Sequence, residues 1–385
     1  MREVTKDTYY IGVSDREIDL FEGQYIVPNG MAYNSYIVTD DKITVFDTVD
    51  RRFTDEWFKN IEEVIGDKSP DYLIVQHMEP DHSSSLAAFA EKYPDTVIVA
   101  SAMAFAFMKQ FYAVEPVDKK FTVKDGDELC TGKHTFHFVF APMVHWPEVM
   151  MTYDSYSKAF FSADAFGKFG AFDADEEWAC EARRYYFGIV GKYGAQVQAL
   201  LKKAAGLDIK TICPLHGPVL SENLDYYLGL YGIWSSYGAE SEGVFIAYTS
   251  VYGDTKQAVE ILKEELEKLG CPKIASADLA REDMAEAVED AFRYKNIVLA
   301  TTTYNTGIFP FMETFLSALT ERNFQNKKIG LIENGTWAPA AAKVMREKIS
   351  GCKNIEFTDT TVTIRSAVSE QNKLDIAKLA KQINN

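Results

Sequence analysis

The sequence predicts an α/β protein with two domains, a layered, strand-rich first domain followed by a doubly wound parallel sheet. In the first part, up to about Gly238, short β-type runs are separated by glycine, aspartate and asparagine turn signals, with helical patterns between some of them. The stretch 237–243 then loses the apolar pattern and carries two glycines and two acids. Beyond it, strands and helices alternate regularly, which is typical of a doubly wound sheet.

The first domain is predicted to span residues 1–240. Runs rich in β-branched and aromatic residues predict strands at 9–13, 24–27, 33–38, 42–47, 72–75, 96–100 and 135–142. The spacing of apolar residues predicts helices at 53–65, 83–90 and about 102–111. Because these helices lie between strands, the pattern indicates a layered α/β or α+β domain.

The second domain is predicted to span residues 243–385. Its strands are expected at 243–248, 296–300 and 328–332, and its helices at 255–269, 311–319 and 338–349. Repeated βα units of this length predict a parallel sheet that binds its ligand at the carboxyl ends of the strands.

Composition limits the possible partners and the compartment. The chain has 385 residues, 47% of them hydrophobic, which is enough for two cores, and a net charge of −17 argues against nucleic acid and anionic membranes as partners. The five cysteines are isolated, with no CxxC pair, as expected for reduced thiols in the cytoplasm. No apolar segment has the length of a signal core or a membrane span. We therefore expect a soluble cytoplasmic protein.

A short loop concentrates potential metal ligands. Four of them fall within six residues after the predicted strand at 72–75, namely His77, Glu79, Asp81 and His82. Imidazoles and carboxylates beside a core are costly to bury unpaired, and a bound cation removes that cost. Nitrogen and oxygen donors without a thiolate favour iron, manganese or zinc. An ordinary turn leading into a capped helix is the alternative, but two of the six histidines of the chain fall here.

Three further candidate ligands, His145, Asp164 and His216, each follow an apolar, strand-like run. Loops after neighbouring strands bring their side chains to one edge of a sheet, so these residues can complete a metal site. His134 and His137 differ because they lie inside a strand-like run without turn residues. We interpret these two histidines as structural.

A phosphate receptor is predicted where the strand at 243–248 ends. The following loop offers hydroxyl groups and backbone N–H groups at a helix N-terminus, and Gly253 allows close approach. It matches neither GxGxxG nor GxxxxGK[ST], which disfavours a dinucleotide fold and a P-loop NTPase. Loops at 302–307 and 333–337 add turn residues and aromatic side chains at the same sheet edge. The candidate cofactor-binding residues are Thr249, Ser250, Val251, Tyr252, Gly253, Asp254, Thr255, Thr302, Thr303, Tyr304, Asn305, Asn334, Gly335, Thr336 and Trp337.

Together these motifs resemble those of the flavodiiron proteins, also called A-type flavoproteins, over essentially the whole chain. The resemblance implies a metallo-β-lactamase-like αββα domain followed by a flavodoxin-like domain. Zinc hydrolases of the first fold usually carry a second histidine where this chain has Glu79, and a carboxylate suits a redox-active di-iron site. The resemblance implies one iron held by His77, Glu79 and His145, a second held by Asp81, His82 and His216, and Asp164 bridging both.

The same resemblance implies the activity. FMN would bind beside Tyr304 or Trp337, and the protein would reduce O2 to water, NO to N2O, or both. The chain resembles the class without a C-terminal rubredoxin or reductase module, so its electrons would come from a rubredoxin or similar small protein. A head-to-tail homodimer, or a dimer of dimers, would place the FMN of one subunit next to the iron pair of the other. Glu22 stands where many members of the family carry a histidine.

Two other functions stay open at this point. One is a zinc-dependent hydrolase fused to a flavodoxin module, which Glu79 disfavours. The other is a non-enzymatic electron carrier whose first domain is only a docking scaffold, which the complete ligand set disfavours.

Overall fold

The computed structural model describes residues 2–112 and 119–384 and divides into two compact units, Met1–Tyr231 and Gly232–Asn385. This division falls within a helix, Leu224–Ser235, a few residues before the predicted boundary at 240–243. Among the described residues, no helix is both long enough and apolar enough to cross a membrane.

The first unit contains two large sheets. Its strands are β1 (Arg2–Thr5), β2 (Thr8–Tyr10), β3 (Val13–Asp15), β4 (Leu20–Phe21), β5 (Tyr25–Ile26), β6 (Met31–Tyr33), β7 (Tyr36–Val38), β8 (Thr44–Phe46), β9 (Tyr72–Val75), β10 (Val97–Ser101), β11 (Lys120–Val123), β12 (Glu128–Cys130), β13 (Thr135–Phe140), β14 (Met150–Asp154), β15 (Ala159–Phe161) and β16 (Thr211–Cys213). Its helices are α1 (Thr54–Ile65), α2 (Pro80–Ser83), α3 (Leu86–Lys92), α4 (Ala102–Tyr112), α5 (Trp178–Tyr185), α6 (Gly194–Ala204) and α7 (Leu224–Ser235).

The two sheets face each other across a shared hydrophobic core. The larger has the strand order β1-β2-β7-β8-β9-β10-β11 and the smaller β12-β13-β14-β15-β16. Phe46 of β8 and Phe161 of β15 stack across the core with ring centroids 3.9 Å apart. Strands β8 to β11 are parallel and are joined by α1 to α4, while Lys203 of α6 bonds to the Phe140 carbonyl of β13. The αββα prediction is confirmed.

The predicted strand at 33–38 is interrupted, and the reason is polar bonding at a buried position. Strand β6 ends at Tyr33 and β7 begins at Tyr36. Between them, the Asn34 amide donates to the carbonyls of Pro214 and Gly217, and the Ser35 hydroxyl contacts the Phe46 and Asp47 carbonyls. These long-range bonds tie together loops at one edge of the sandwich, and sequence periodicity does not reveal them.

The second unit is a sheet of five parallel strands and one short antiparallel strand, with helices between the parallel strands. Its strands are β17 (Ser241–Tyr248), β18 (Ile274–Asp278), β19 (Tyr294–Tyr304), β20 (Gly307–Ile308), β21 (Lys327–Asn334) and β22 (Ile355–Ile364). Its helices are α8 (Asp254–Lys268), α9 (Met284–Arg293), α10 (Pro310–Glu321), α11 (Ala341–Lys348) and α12 (Glu370–Asn384). The parallel order β18-β17-β19-β21-β22, with β20 antiparallel to β19, is the flavodoxin-like arrangement predicted. Strands β18 and β22 were not predicted.

The buried Lys327, at the start of β21, should make the stability of the fold depend on pH. Its Nζ donates to the carbonyls of Phe292 and Tyr294, each at 2.6 Å, and burial lowers its pKa from 10.5 to about 7. A neutral amine still has two N–H donors, so both bonds survive deprotonation. Between these two pKa values the unfolded chain binds more protons than the folded one. We therefore expect stability to rise with pH from about 7 towards 10, by at most about 1.4 kcal/mol per pH unit.

Denaturant unfolding of the full chain between about pH 7 and 9 measures this slope. Lys327→Met should flatten it, because the buried titrating group is gone. Lys295→Met, at an exposed position of the neighbouring strand, should keep the wild-type slope. An unchanged slope in Lys327→Met would contradict the assignment.

Candidate metal centre and cofactor pocket

The fold carries all seven predicted metal ligands to one edge of the first unit. His77 and Glu79 lie in the loop after β9, and α2 carries Asp81 and His82. The other three ligands follow strands of the smaller sheet, with His145 after β13, Asp164 after β15 and His216 after β16. Their potential ligand atoms form two groups, His77, Glu79, His145 and Asp164 in one and Asp81, His82 and His216 in the other.

The first group is arranged around His145. Its Nε2 lies 3.1 Å from Glu79 Oε2 and 2.9 Å from Asp164 Oδ2. His77 Nε2 lies 3.3 Å from each of these two carboxylate oxygens. Two imidazole nitrogens and two carboxylate oxygens therefore converge within the spacing of ligands around one cation.

The second group is arranged around the close pair of His82 and His216. Their Nε2 atoms are 2.9 Å apart, and Asp81 Oδ2 lies 3.3 and 3.4 Å from them. Asp164 Oδ1 lies 3.8 Å from each Nε2. Since Asp164 Oδ2 faces the first group, this carboxylate presents one oxygen to each group.

The electrostatics of the cluster fit bound cations. Burial raises the pKa of Asp81 well above its ordinary value, and the nearby charge of Glu79 adds to the rise. Burial also favours neutral Asp164, but the His77 charge and the close approach of His145 hold the Asp164 pKa well below its usual range. All four oxygens of Asp81 and Asp164 are buried without a hydrogen bond of good geometry among the described residues. Buried carboxylates in this state are costly unless a cation compensates them.

The donor chemistry fits iron. Each group offers two histidines and one carboxylate of its own, with no thiolate, and this 2-His-1-carboxylate set is typical of non-haem iron sites. The sequence alone had left manganese and zinc open as well.

Two buried acids that support the ligand loop were missed from the sequence. Asp47 accepts hydrogen bonds from the Gln76 and His77 backbone N–H groups and from the Gln76 amide. Glu148 accepts from the Met78 backbone N–H and contacts His77 Nδ1, each at 2.9 Å. Neither acid belongs to a ligand-rich motif, so only the fold reveals its role.

Glu22 lies at the edge of the first group. Burial and the charge of Glu79 raise its pKa to about 7. Its carboxyl thus adds acidic character to the surroundings of His145.

The two remaining histidines lie outside both groups. His134 is buried with its Nδ1 2.7 Å from Asp154, and His137 on β13 pairs with Glu128 at 3.0 Å. Both positions agree with the structural interpretation made from the sequence.

A cavity of about 490 Å³ lies at the carboxyl edge of the second sheet. It is lined by three predicted loops, which follow β17, β19 and β21. Thirteen of the predicted cofactor-binding residues line it, namely Ser250, Val251, Tyr252, Asp254, Thr255, Thr302, Thr303, Tyr304, Asn305, Asn334, Gly335, Thr336 and Trp337, and Thr306, Ala338 and Ser366 complete the lining.

Two predicted residues do not line the cavity. Thr249 is buried and its hydroxyl bonds to that of Thr301 at 2.6 Å, so it ties β17 to β19. Gly253 caps α8 with a φ of +106°, and a Cβ there would meet no protein atom within 4 Å. Its backbone conformation, rather than a close approach, therefore requires glycine.

The cavity fits a flat phosphorylated cofactor. Ser250 Oγ accepts from the backbone N–H groups of Gly253 and Lys256, which shows that these donors point into the loop. The hydroxyl oxygens of Thr255 and Thr302 are buried without a partner among the described residues. Tyr252 and Trp337 are 96% and 87% exposed, so large aromatic surfaces border the cavity.

The chain is similar to known proteins in sequence and in structure. A family model described as ODP family beta lactamase matches residues 31–217. The anaerobic nitric oxide reductase flavorubredoxin of Vibrio vulnificus (strain YJ016) is 28% identical over 360 residues, which cover 90% of this chain and 72% of that protein. The structure of rubredoxin oxygen:oxidoreductase from Desulfovibrio gigas has a TM-score of 0.91 and 25% identity, covering 100% of this chain and 97% of that one.

The flavodiiron protein from Giardia intestinalis, at 24% identity and a TM-score of 0.93, shares the fold over 100% of this chain and 95% of that chain. The first unit is beta-lactamase-like and the second is flavodoxin-like. Together with relatives named as flavorubredoxin and rubredoxin oxidoreductase, they agree with the resemblance found from the sequence motifs. The chain is therefore similar over most of its length to relatives named as flavorubredoxin and rubredoxin oxygen:oxidoreductase, and it shares its fold with a flavodiiron protein.

Proposed function

We propose that this protein is an oxidoreductase that reduces O2 to water, NO to N2O, or both, with electrons from an external donor protein. The observation that carries the proposal is the pair of adjacent ligand groups that share Asp164. When bound, two iron ions supply electrons to the diatomic substrate, and FMN relays electrons to them from the donor. Rubredoxin or a similar small protein is the proposed donor, since the compared relatives carry rubredoxin in their names.

We assign one iron to His77, Glu79 and His145, and the other to Asp81, His82 and His216, with Asp164 between them. The short distances within each group support this assignment. His82 is included because its Nε2 lies as close to His216 Nε2 as two ligands of one cation do.

Aromatic side chains around the ligands would exclude water from the site. The rings of Phe21 and Tyr185 each lie 5.4 Å from His216, and Trp146 lies 5.3 Å from His77. An apolar wall suits small uncharged diatomic molecules and strengthens electrostatic interactions at the ligands.

In the second unit, the loop 250–255 would hold the FMN phosphate through its backbone N–H groups and the Thr255 hydroxyl. Tyr304 and Trp337 would lie beside the flavin ring. The buried hydroxyls of Thr255 and Thr302, which have no partner among the described residues, support this placement. The exposed aromatic surfaces of Tyr252 and Trp337 support it as well.

Elemental analysis and flavin quantification on protein purified without added metal test the proposal, followed by anaerobic assays with O2 and with NO. About two irons and one FMN per chain are expected, with donor-dependent consumption of at least one substrate. Zinc in place of iron together with hydrolytic activity would overturn it. A zinc-dependent hydrolase is not favoured, because Glu79 replaces the usual histidine and the compared relatives are named as reductases.

We further propose a head-to-tail homodimer, or a dimer of such dimers, in which FMN of one subunit serves the iron pair of the other. Sedimentation of the holoprotein should show a dimer or tetramer, and a monomeric variant should keep its flavin and iron but lose turnover. A monomer with full turnover would contradict this arrangement.

A further inference from the structure

The two ligand groups differ in the groups that contact the Nδ1 atoms of their histidines. Glu148, which lies three residues beyond His145, has a fully buried side chain. Its Oε1 lies 2.9 Å from both His77 Nδ1 and the Met78 backbone nitrogen. Because a carboxylate can only accept, His77 must donate from Nδ1, and its Nε2 lone pair is thereby directed at Glu79 and Asp164.

The second group has weaker support. His216 Nδ1 donates to the neutral carbonyl of Ala32 at 2.7 Å. His82 Nδ1 is buried and has no partner among the described residues. A carbonyl fixes the orientation of His216 without adding negative charge, and neither the tautomer nor the ring of His82 is held by a hydrogen bond at Nδ1.

The distribution of negative charge also favours cation binding in the first group. The first group has Glu79 as a ligand and Glu148 directly behind His77, whereas the second has Asp81 alone. The shared Asp164 also lies closer to the first group, at 2.9 and 3.3 Å from its ring nitrogens against 3.8 Å in the second. A divalent cation is therefore stabilised more strongly in the first group.

We propose that the two metal positions differ in affinity for their ions. The position at His77, Glu79 and His145 fills first and releases its ion last, and Glu148 is the positioning residue responsible. This inference rests on the proposed di-metal function. The position at Asp81, His82 and His216 is then the labile one, the first to empty under a chelator.

The test is a titration of the full-length, flavin-containing chain with Co²⁺ after its metal has been removed under anaerobic conditions. Calorimetry and the visible Co²⁺ spectrum should resolve two steps that differ at least about tenfold in affinity. Glu148→Gln keeps the size of the side chain and removes its charge, and it should weaken the tighter step about 10- to 100-fold while leaving the weaker one unchanged. Asp81→Asn should instead remove the weaker step and leave the tighter one.

Glu128→Gln is the matched control, because Glu128 also contacts a histidine Nδ1, that of His137, but outside the site. It should leave both steps unchanged. Two equal steps in the wild type, or equal weakening of both steps by Glu148→Gln, would overturn the inference. Failure of the proposed function would look different, as absent O2 and NO turnover in a protein that still binds two Co²⁺ ions in unequal steps.

Discussion

Asp164→Ala is expected to lose most of its bound iron and on the order of a thousandfold of its O2 or NO reduction, while keeping its flavin. Replacing even an outer partner of a metal ligand costs about 10- to 100-fold in metal affinity. Asp164 faces both ligand groups, with Oδ2 2.9 Å from His145 Nε2 and Oδ1 3.8 Å from His216 Nε2. Its removal therefore weakens both positions together.

Metal analysis, flavin absorbance and anaerobic turnover on the same preparation measure this result. Asp154→Ala is the control, because Asp154 is also a buried acid beside a histidine in the first unit, 2.7 Å from His134 Nδ1. It should cost stability but leave the iron content unchanged. Wild-type iron content and turnover in Asp164→Ala would remove Asp164 from the centre.

The clustering of the candidate metal ligands could be predicted because each of them combines an uncommon residue with a particular place in the chain. Histidines and acids that directly follow apolar runs stand out, and the ends of neighbouring strands must meet at a sheet edge. Glu148 does not follow an apolar run, and Asp47, which directly follows β8, has no histidine beside it in the sequence. Each is a single acid in an ordinary loop, and its role depends on a loop or strand 29 to 71 residues away along the chain.

The cavity proposed for the flavin likewise contains some residues that the sequence predicts and others that it does not. Its three predicted loops follow strands with strong apolar patterns, but Ser366 follows β22, in which buried positions alternate with exposed or half-buried ones across several threonines. That strand has a weaker signal than the central ones because it lies at the end of the sheet. Thr249 was assigned to the cavity because sequence shows its position in the loop and not the direction of its hydroxyl, which bonds to Thr301.

Ser250→Glu is expected to lower FMN affinity at least about a hundredfold, which corresponds to about 2.7 kcal/mol. The new carboxylate would repel the phosphate and would compete for the backbone N–H groups of Gly253 and Lys256, which now donate to Ser250 Oγ. Iron content should stay at the wild-type level, since the metal ligands belong to the first unit. Ser350→Glu, the same change at an exposed position of the second unit, should bind FMN normally. Full flavin content in Ser250→Glu would contradict the assignment of this loop to the phosphate.

Asp164→Ala and Ser250→Glu together test the path of the electrons. Each variant alone should retain only a small fraction of the wild-type turnover, because one has lost most of its iron and the other binds flavin weakly. In a mixed head-to-tail dimer, however, the intact flavin of the Asp164→Ala chain would face the intact iron site of the Ser250→Glu chain. Co-expressed chains with two different tags should therefore regain donor-dependent turnover, up to about half the wild-type value per dimer. Transfer within one chain predicts no recovery, since each chain lacks one of the two cofactors.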